Sequence, residues 1–366
     1  FSEFSSPDRL KIISNFSGSA GFAIILKKKN YLFVDGRYTL QAKIQSSKNF
    51  KIIEIPKLSP ADVLKNYKKK ILLGFDPQLF TSSNLNKNFK NIFHLLPISE
   101  NFIDKIYKEK SKKFIKPFYN ISDQVSGETI NSKISRLIKI IKSKNIKNIF
   151  ISAPENVAWL LNLRGGDNPH SPIPNCKVIL TANKKVYFFS CPKKIRYIKK
   201  NKKYKNFIFC SYDNFFKIIS KLNKNTFCID SKTCSISNEK IKKSLFKIKL
   251  NEDPCYLMKS IKNKSEIKNM INAHDEDGLA LTKFIFWIKN IKKKKITEMQ
   301  AKNKLEKFRK KNKNYLFPSF DTIAGSGPNG AIIHYRVSKK SNRTINKNDL
   351  FLCDSGGQYK FGTTDV

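Results

Sequence analysis

The sequence predicts a mixed α/β and α+β fold: two tandem α/β domains over residues 1–117 and 118–250, then part of an α+β domain over residues 251–366. Three observations predict it. Through the first 250 residues short apolar runs alternate with helical patterns. From Glu252 the texture changes to one long helical stretch, and after Tyr315 glycines and short strand-like runs take over.

In the first domain the apolar runs 22–26 and 31–34, joined by residues 27–30, read as a hairpin, and residues 38–45 as a helix. Ser59-Pro60-Ala61-Asp62 sets a cap, a first-turn proline and an acid before residues 63–67, so a helix starts there, and residues 71–75 read as the next strand. Residues 110–116 read as the linker. In the second domain Ile130, Ile134, Leu137, Ile138 and Ile141 lie on one helix face. Strands are predicted at 149–152, 177–181, 186–190, 207–210 and 227–229. The third part opens on a long helix over 265–291, predicted to present Ile267, Met270, Ile271, His274, Gly278, Leu281, Phe284, Ile285 and Ile288 on one packed face. His274 and Trp287 are expected to serve packing. Thr297-Glu298-Met299-Gln300 is a capping box that opens a helix to about residue 310. Strands over 350–359 and 363–366 close the chain, and residues 292–295 read as a solvated helix end.

The 366 residues hold 72 Lys+Arg against 28 Asp+Glu, a formal charge of +44, and 40% hydrophobic residues, enough to fold. Only eight of the 72 are arginine. Readers of nucleic acid lean on arginine forks, so lysine spread along the whole chain argues against a specific nucleic-acid partner. Seven cysteines without a C-x-x-C pair point to a reduced, cytoplasmic compartment. No apolar run approaches the roughly 18 residues of a membrane span. The chain opens on Phe1 and stops at Val366, and both ends read as cuts.

Two aspartates, Asp354 and Asp365, bracket Ser355-Gly356-Gly357-Gln358-Tyr359-Lys360-Phe361-Gly362-Thr363-Thr364. On one extended strand they would stand about 36 Å apart at roughly 3.3 Å per residue. A fold-back near residues 360–362 would instead bring them face to face, about 5 Å apart on neighbouring strands. Paired acids in that geometry repel unless a cation lies between them or one is protonated. Two metal ions bridged by carboxylates are one solution, and oxygen donors suit manganese or magnesium better than zinc. Turn or cap residues are the alternative reading. His334 ends the apolar run Ala331-Ile332-Ile333 after a glycine-rich stretch that lacks phosphate-loop or dinucleotide spacing. Beside a metal pair it could bind a substrate carbonyl; by itself it could equally be structural.

The segments Phe320-Asp321-Thr322-Ile323 through His334-Tyr335 and Asp354 through Asp365 resemble the aminopeptidase P (Xaa-Pro aminopeptidase) branch of the pita-bread metallopeptidases, relatives of prolidase and creatinase. Phe16-Ser17-Gly18-Ser19-Ala20-Gly21 with Val34-Asp35-Gly36-Arg37-Tyr38, Ala158-Trp159-Leu160-Leu161-Asn162-Leu163-Arg164-Gly165, and Lys262-Asn263 with Ala273-His274-Asp275-Glu276-Asp277-Gly278 extend the resemblance to the three-domain form. It implies two creatinase N-terminal-like (ribonuclease H-like) domains and the first half of a pita-bread domain. It makes Asp354 and Asp365 two of five ligands to two divalent ions, usually Mn2+, and His334 the catalytic histidine that contacts the substrate. It implies release of the amino-terminal residue from peptides with proline second, by attack of a metal-bridging hydroxide, in a cytoplasmic homodimer. It also sets Trp159 and Arg164 near a domain junction and Arg37 and Tyr38 near a neighbouring subunit's active site. The family's other ligands, one His and two Glu, lie downstream of the second aspartate at positions this chain does not contain, so the 366 residues by themselves are expected to be inactive. A non-catalytic binding protein of this fold, or another of its peptidases such as prolidase, are the rival readings.

Overall fold

A computed structural model describes residues 8–67, 71–89, 94–107, 116–222, 225–291 and 295–366. The predicted linker, apart from Lys116, and most of the lysine run 292–295 lie outside the described residues. Contacts divide the chain into two compact units. One comprises the described residues of Phe1–Pro117, Ile134–Leu160 and Asn175–Met258; the other comprises Phe118–Lys133, Leu161–Pro174 and Lys259–Val366.

Among the described residues the first unit contains three sheets, one of them the parallel pair Leu72–Phe75 and His94–Pro97. Gly21–Ile25 and Asn30–Asp35 form the expected antiparallel hairpin, and Phe50–Ile55 adds in parallel beside the second strand. Ser59 and Asp62 make the reciprocal capping box of a short helix at Pro60–Val63. Tyr38 is buried against Phe16, with its hydroxyl bonded to Ser19. A six-stranded mixed sheet runs in the order Phe207–Cys210, Val186–Phe189, Lys177–Thr181, Asn148–Ile151, Thr226–Ile229, Lys247–Leu250. All four residues of its Asn148–Ile151 strand are buried, as a strand covered on both faces requires. Phe150, Phe189, Phe215 and Phe227 form the core on one side of that sheet.

In the second unit the Lys264–Lys289 helix begins at a capping box between Asn263 and Glu266, close to its predicted start. Its inward face differs from the prediction. Ala273, Asp277, Ala280 and Phe284 are buried, whereas Ile267, Met270, Ile271 and Ile285 are exposed, and so is His274, whose ring faces the Met270 carbonyl. The reason is steric and electrostatic: small residues admit the neighbouring backbone closely, and Asp277 must meet Arg309. Gly362 illustrates the first point, since a Cβ there would stand 2.7 Å from that of Ala273. Trp287 does pack, beside Phe284, Ala301 and Leu305. The Glu298–Arg309 helix carries the predicted Thr297–Gln300 box. Beyond it, antiparallel pairs join Tyr315–Pro318 to Gly357–Tyr359 and Ile323–Ser326 to Phe351–Asp354. The predicted strand 350–359 is therefore broken at Ser355-Gly356, each half having a different partner.

Candidate metal centre

The chain after Asp354 folds back on itself. Ser355 and Val366 exchange backbone hydrogen bonds of 2.9 Å each way, Thr364 N–H donates to the Gly357 carbonyl at 2.9 Å, and Tyr359 N–H to that of Gly362 at 2.8 Å. These pairs share one antiparallel register with the turn at residues 360–361. Residue 365 then stands opposite residue 356, so Asp365 faces Gly356, and Asp354 is its diagonal neighbour on the same face of the hairpin. Diagonal positions of this kind lie roughly 7–8 Å apart at Cα. The sequence-based expectation of directly opposed acids thus becomes a diagonal pair with glycine filling the position between. Gly356 is required there by close approach: a Cβ would collide with the Thr364 carbonyl oxygen and the Ser319 hydroxyl.

Side chains alternate across the hairpin, and its other face is buried. Phe351 and Cys353 join the cluster around Phe284 and Leu305. Ser355 Oγ accepts from the Arg309 guanidinium at 3.0 Å, and Tyr359 Oη donates to Asp277 at 2.8 Å. Arg309 and Asp277, both fully buried, make a bidentate pair at 2.7 and 2.9 Å. This charged pair anchors the underside of the hairpin whose upper face bears the two acids. Sequence reasoning missed it, since Asp277 ends the polar run His274-Asp275-Glu276-Asp277 and nothing in the spacing singles it out.

Burial raises the Asp354 carboxyl above its ordinary pKa, the charge of Asp365 raises it further, and His334 pulls it down. The three predicted site residues therefore lie within electrostatic reach of one another. Two repelling carboxylates beside a gap lined by glycine suit a divalent cation, and an all-oxygen pair favours a hard ion. Among the described residues no group of three or more His, Cys, Asp or Glu converges to complete a metal shell. The donors present thus fit part of a cation site.

His334 adopts φ +57°, the left-handed region uncommon for a residue with a side chain. Its loop is held from below by Glu298, which is fully buried in the first turn of its helix. Glu298 accepts from Ser326 N–H (2.7 Å), Arg343 N–H (3.0 Å), Asn329 Nδ2 (3.0 Å) and Tyr335 Oη (2.9 Å). A second carboxylate, Asp321, has two cationic groups and an imidazole around it: Lys302 Nζ and His170 Nε2 at 3.7 Å and Arg336 Nε at 3.8 Å. Their positions are far apart in sequence, and nothing in the sequence pattern signals their convergence.

Known proteins give this arrangement a context. Residues 4–105 and 109–266 each match a Creatinase/Prolidase N-terminal domain, and residues 268–366 match Metallopeptidase family M24. The chain carries two creatinase/prolidase N-terminal domains followed by a segment of metallopeptidase family M24. Its fold is that of two creatinase N-terminal domains followed by M24 sequence, on the aminopeptidase P branch of the pita-bread family. Its M24 relatives include a protein of Colletotrichum graminicola named "Probable Xaa-Pro aminopeptidase P", 32% identical over 98% of this chain and 62% of its own length. Xaa-Pro aminopeptidase ApepP of Drosophila melanogaster is 33% identical over 98% of this chain and 61% of its own. The crystal structure of X-prolyl aminopeptidase from Caenorhabditis elegans, described as a cytosolic enzyme with a di-nuclear active site, matches with a TM-score of 0.90 at 25% identity. That match covers 100% of this chain and 62% of the other. The chain accordingly spans about three-fifths of the length of these relatives. No described helix is long and apolar enough to cross a membrane.

Proposed function

We propose that the whole protein is a manganese-dependent Xaa-Pro aminopeptidase, acting in the cytoplasm as a homodimer on peptides with proline in second position. The observation that carries the reading is the hairpin register, which gives Asp354 and Asp365 one shared face beside His334. In this reading Asp354 and Asp365 hold the divalent ions in part, and further ligands complete the shell. Two such ions, when bound, supply Lewis acidity and activate water for hydrolysis. His334 donates an imidazole N–H to that carbonyl oxygen and stabilises the charge that gathers on it. Proline lacks the amide N–H and has a fixed φ, so a pocket shaped to its ring selects for it by rigidity. In this reading a limit at 117 divides the two amino-terminal domains and a limit at 250 separates them from the catalytic one.

The 366 residues alone bind manganese weakly and turn over no peptide, because two carboxylates leave most of the coordination shell to water. Manganese titration of the 366-residue chain, followed by electron paramagnetic resonance, tests the ligand assignment. Asp354→Asn and Asp365→Asn should each reduce binding; unchanged binding in both variants refutes the assignment. Hydrolysis of Ala-Pro-Ala by the whole protein with manganese, without hydrolysis of Ala-Ala-Ala, tests the activity.

A further inference from the structure

We propose that Glu298 and Tyr335 are positioning residues for the reaction: together they hold His334 in its left-handed backbone conformation and so aim its imidazole, without touching substrate or metal themselves. The inference rests on the peptidase reading above and adds to it two residues that act through His334.

The loop is the first argument. Between the strands Ile323–Ser326 and Thr344–Ile345 the chain runs through one short 3-10 helix, Gly327–Ala331, and then the loop that carries His334. The backbone groups of such a loop need partners other than a strand ladder, and a buried carboxylate supplies them. Both ends of the loop are fixed to Glu298: Ser326 N–H donates to it at 2.7 Å and Arg343 N–H at 3.0 Å. Glu298 N–H donates in return to the Arg343 carbonyl at 3.0 Å. Ser326 ends the strand that pairs with Phe351–Asp354, so the same carboxylate ties the loop to the strand bearing Asp354.

The second argument is the grip on His334 itself. At φ +57° a side chain crowds its own backbone, and such a conformation persists only where the surroundings over-determine it. Tyr335, the next residue, is buried, and its hydroxyl stands 2.9 Å from Glu298 Oε2 and 2.8 Å from the Ser341 carbonyl. Tyr335 N–H closes a turn onto the Ile332 carbonyl at 3.1 Å, and Ile332 N–H donates to the Asn329 carbonyl at 3.2 Å. Asn329 Nδ2 completes the set, donating to Glu298 Oε1 at 3.0 Å and to Tyr335 Oη at 2.9 Å. The backbone on both sides of His334 is thus referred to one carboxylate. Loss of the Tyr335 hydroxyl releases His334 toward an ordinary φ, which re-aims the imidazole. A displacement of about 1 Å at a reacting group can cost on the order of a hundredfold in rate.

The test uses the whole protein loaded with manganese and Ala-Pro-Ala as substrate, with kcat and KM measured separately at a temperature where circular dichroism shows each variant folded. Tyr335→Phe should lower kcat about tenfold or more and leave KM within about twofold. Glu298→Gln, which turns an amide N–H toward a cluster of donors, should lower kcat further. In a His334→Ala background Tyr335→Phe should have no additional effect, because residues that act through one group are not additive. A second readout needs no turnover: in the metal-free protein with labelled histidine, the imidazole NMR signal that disappears in His334→Ala should shift in Tyr335→Phe. A role in stability alone would lower the melting temperature and leave kcat of the folded Tyr335→Phe variant unchanged. Unchanged kcat, an unshifted His334 signal, or an equal loss with and without His334 overturns this inference and leaves the peptidase reading standing. Absence of cleavage by the parent protein overturns both.

Discussion

Replacing Asp277 by alanine should cost the second unit about 3–5 kcal/mol, the range for removing one partner of a buried ion pair. The structure says why the loss falls at the full value. Arg309 is fully buried, and its Nη1 already lacks a hydrogen-bond partner. Without Asp277 the guanidinium keeps its hydrogen bond to the Ser355 hydroxyl, and Tyr359 Oη loses its acceptor as well. For a unit of this size the loss corresponds to a fall of about 10–20 °C in Tm. Urea titration monitored by Trp287, which packs in this unit's core, in a Trp159→Phe background isolates the transition. The double variant Asp277→Leu/Arg309→Met should recover most of the stability, because an apolar pair of similar volume carries no uncompensated charge. A loss below about 1 kcal/mol for Asp277→Ala, or a double variant no better than the single one, refutes the reasoning.

Glu298→Ala strips the acceptor from four buried or half-buried donors and should destabilise the same unit by about 3 kcal/mol, with faster hydrogen exchange at the Ser326 and Arg343 amides. Gly356→Ala forces a methyl against the Thr364 carbonyl and should cost about 1–3 kcal/mol while weakening manganese binding, read by the same resonance titration. Lys242 is fully buried, with its ammonium 3.6 Å from the Phe150 ring centre and beside Phe215 and Phe227. Burial pushes its pKa down from 10.5 to about 7, with Lys177 adding to the fall and Cys234 and Glu239 opposing it. Between these values the unfolded chain binds a proton that the folded chain does not, so stability rises with pH by up to about 1.4 kcal/mol per unit. Urea midpoints at pH 7.0 and 8.5 should show the rise, and Lys242→Met should reduce it; a flat wild-type profile excludes it. The window stops there because buried Cys210, Cys228 and Cys234 have raised pKa values and act with the opposite sign at higher pH.

Alternation of strand and helix, the helix caps at Ser59 and Thr297 and the two acids near the chain's end were legible in the sequence, because each depends on residues a few positions apart. Ser59 with Asp62 and Thr297 with Gln300 satisfy helix-end donors locally, whatever the rest of the chain does. The packed face of the Lys264–Lys289 helix was not legible. Apolar residues occupy more than one side of it, and the buried side was decided by Asp277 meeting Arg309, thirty-two positions away. Nor could spacing decide whether Asp354 and Asp365 share a face. Strand side chains have a period of two, so a slip of one residue in the register would have set the two acids on opposite sides. The turn at residues 360–361 and the anchoring of Ser355 and Tyr359 beneath the hairpin choose the register that unites them. Local chemistry thus determined the elements and the candidate acids. Which side chains meet, including the three that converge at Asp321, was left to tertiary packing, because burial and charge pairing act between segments that the linear order keeps apart.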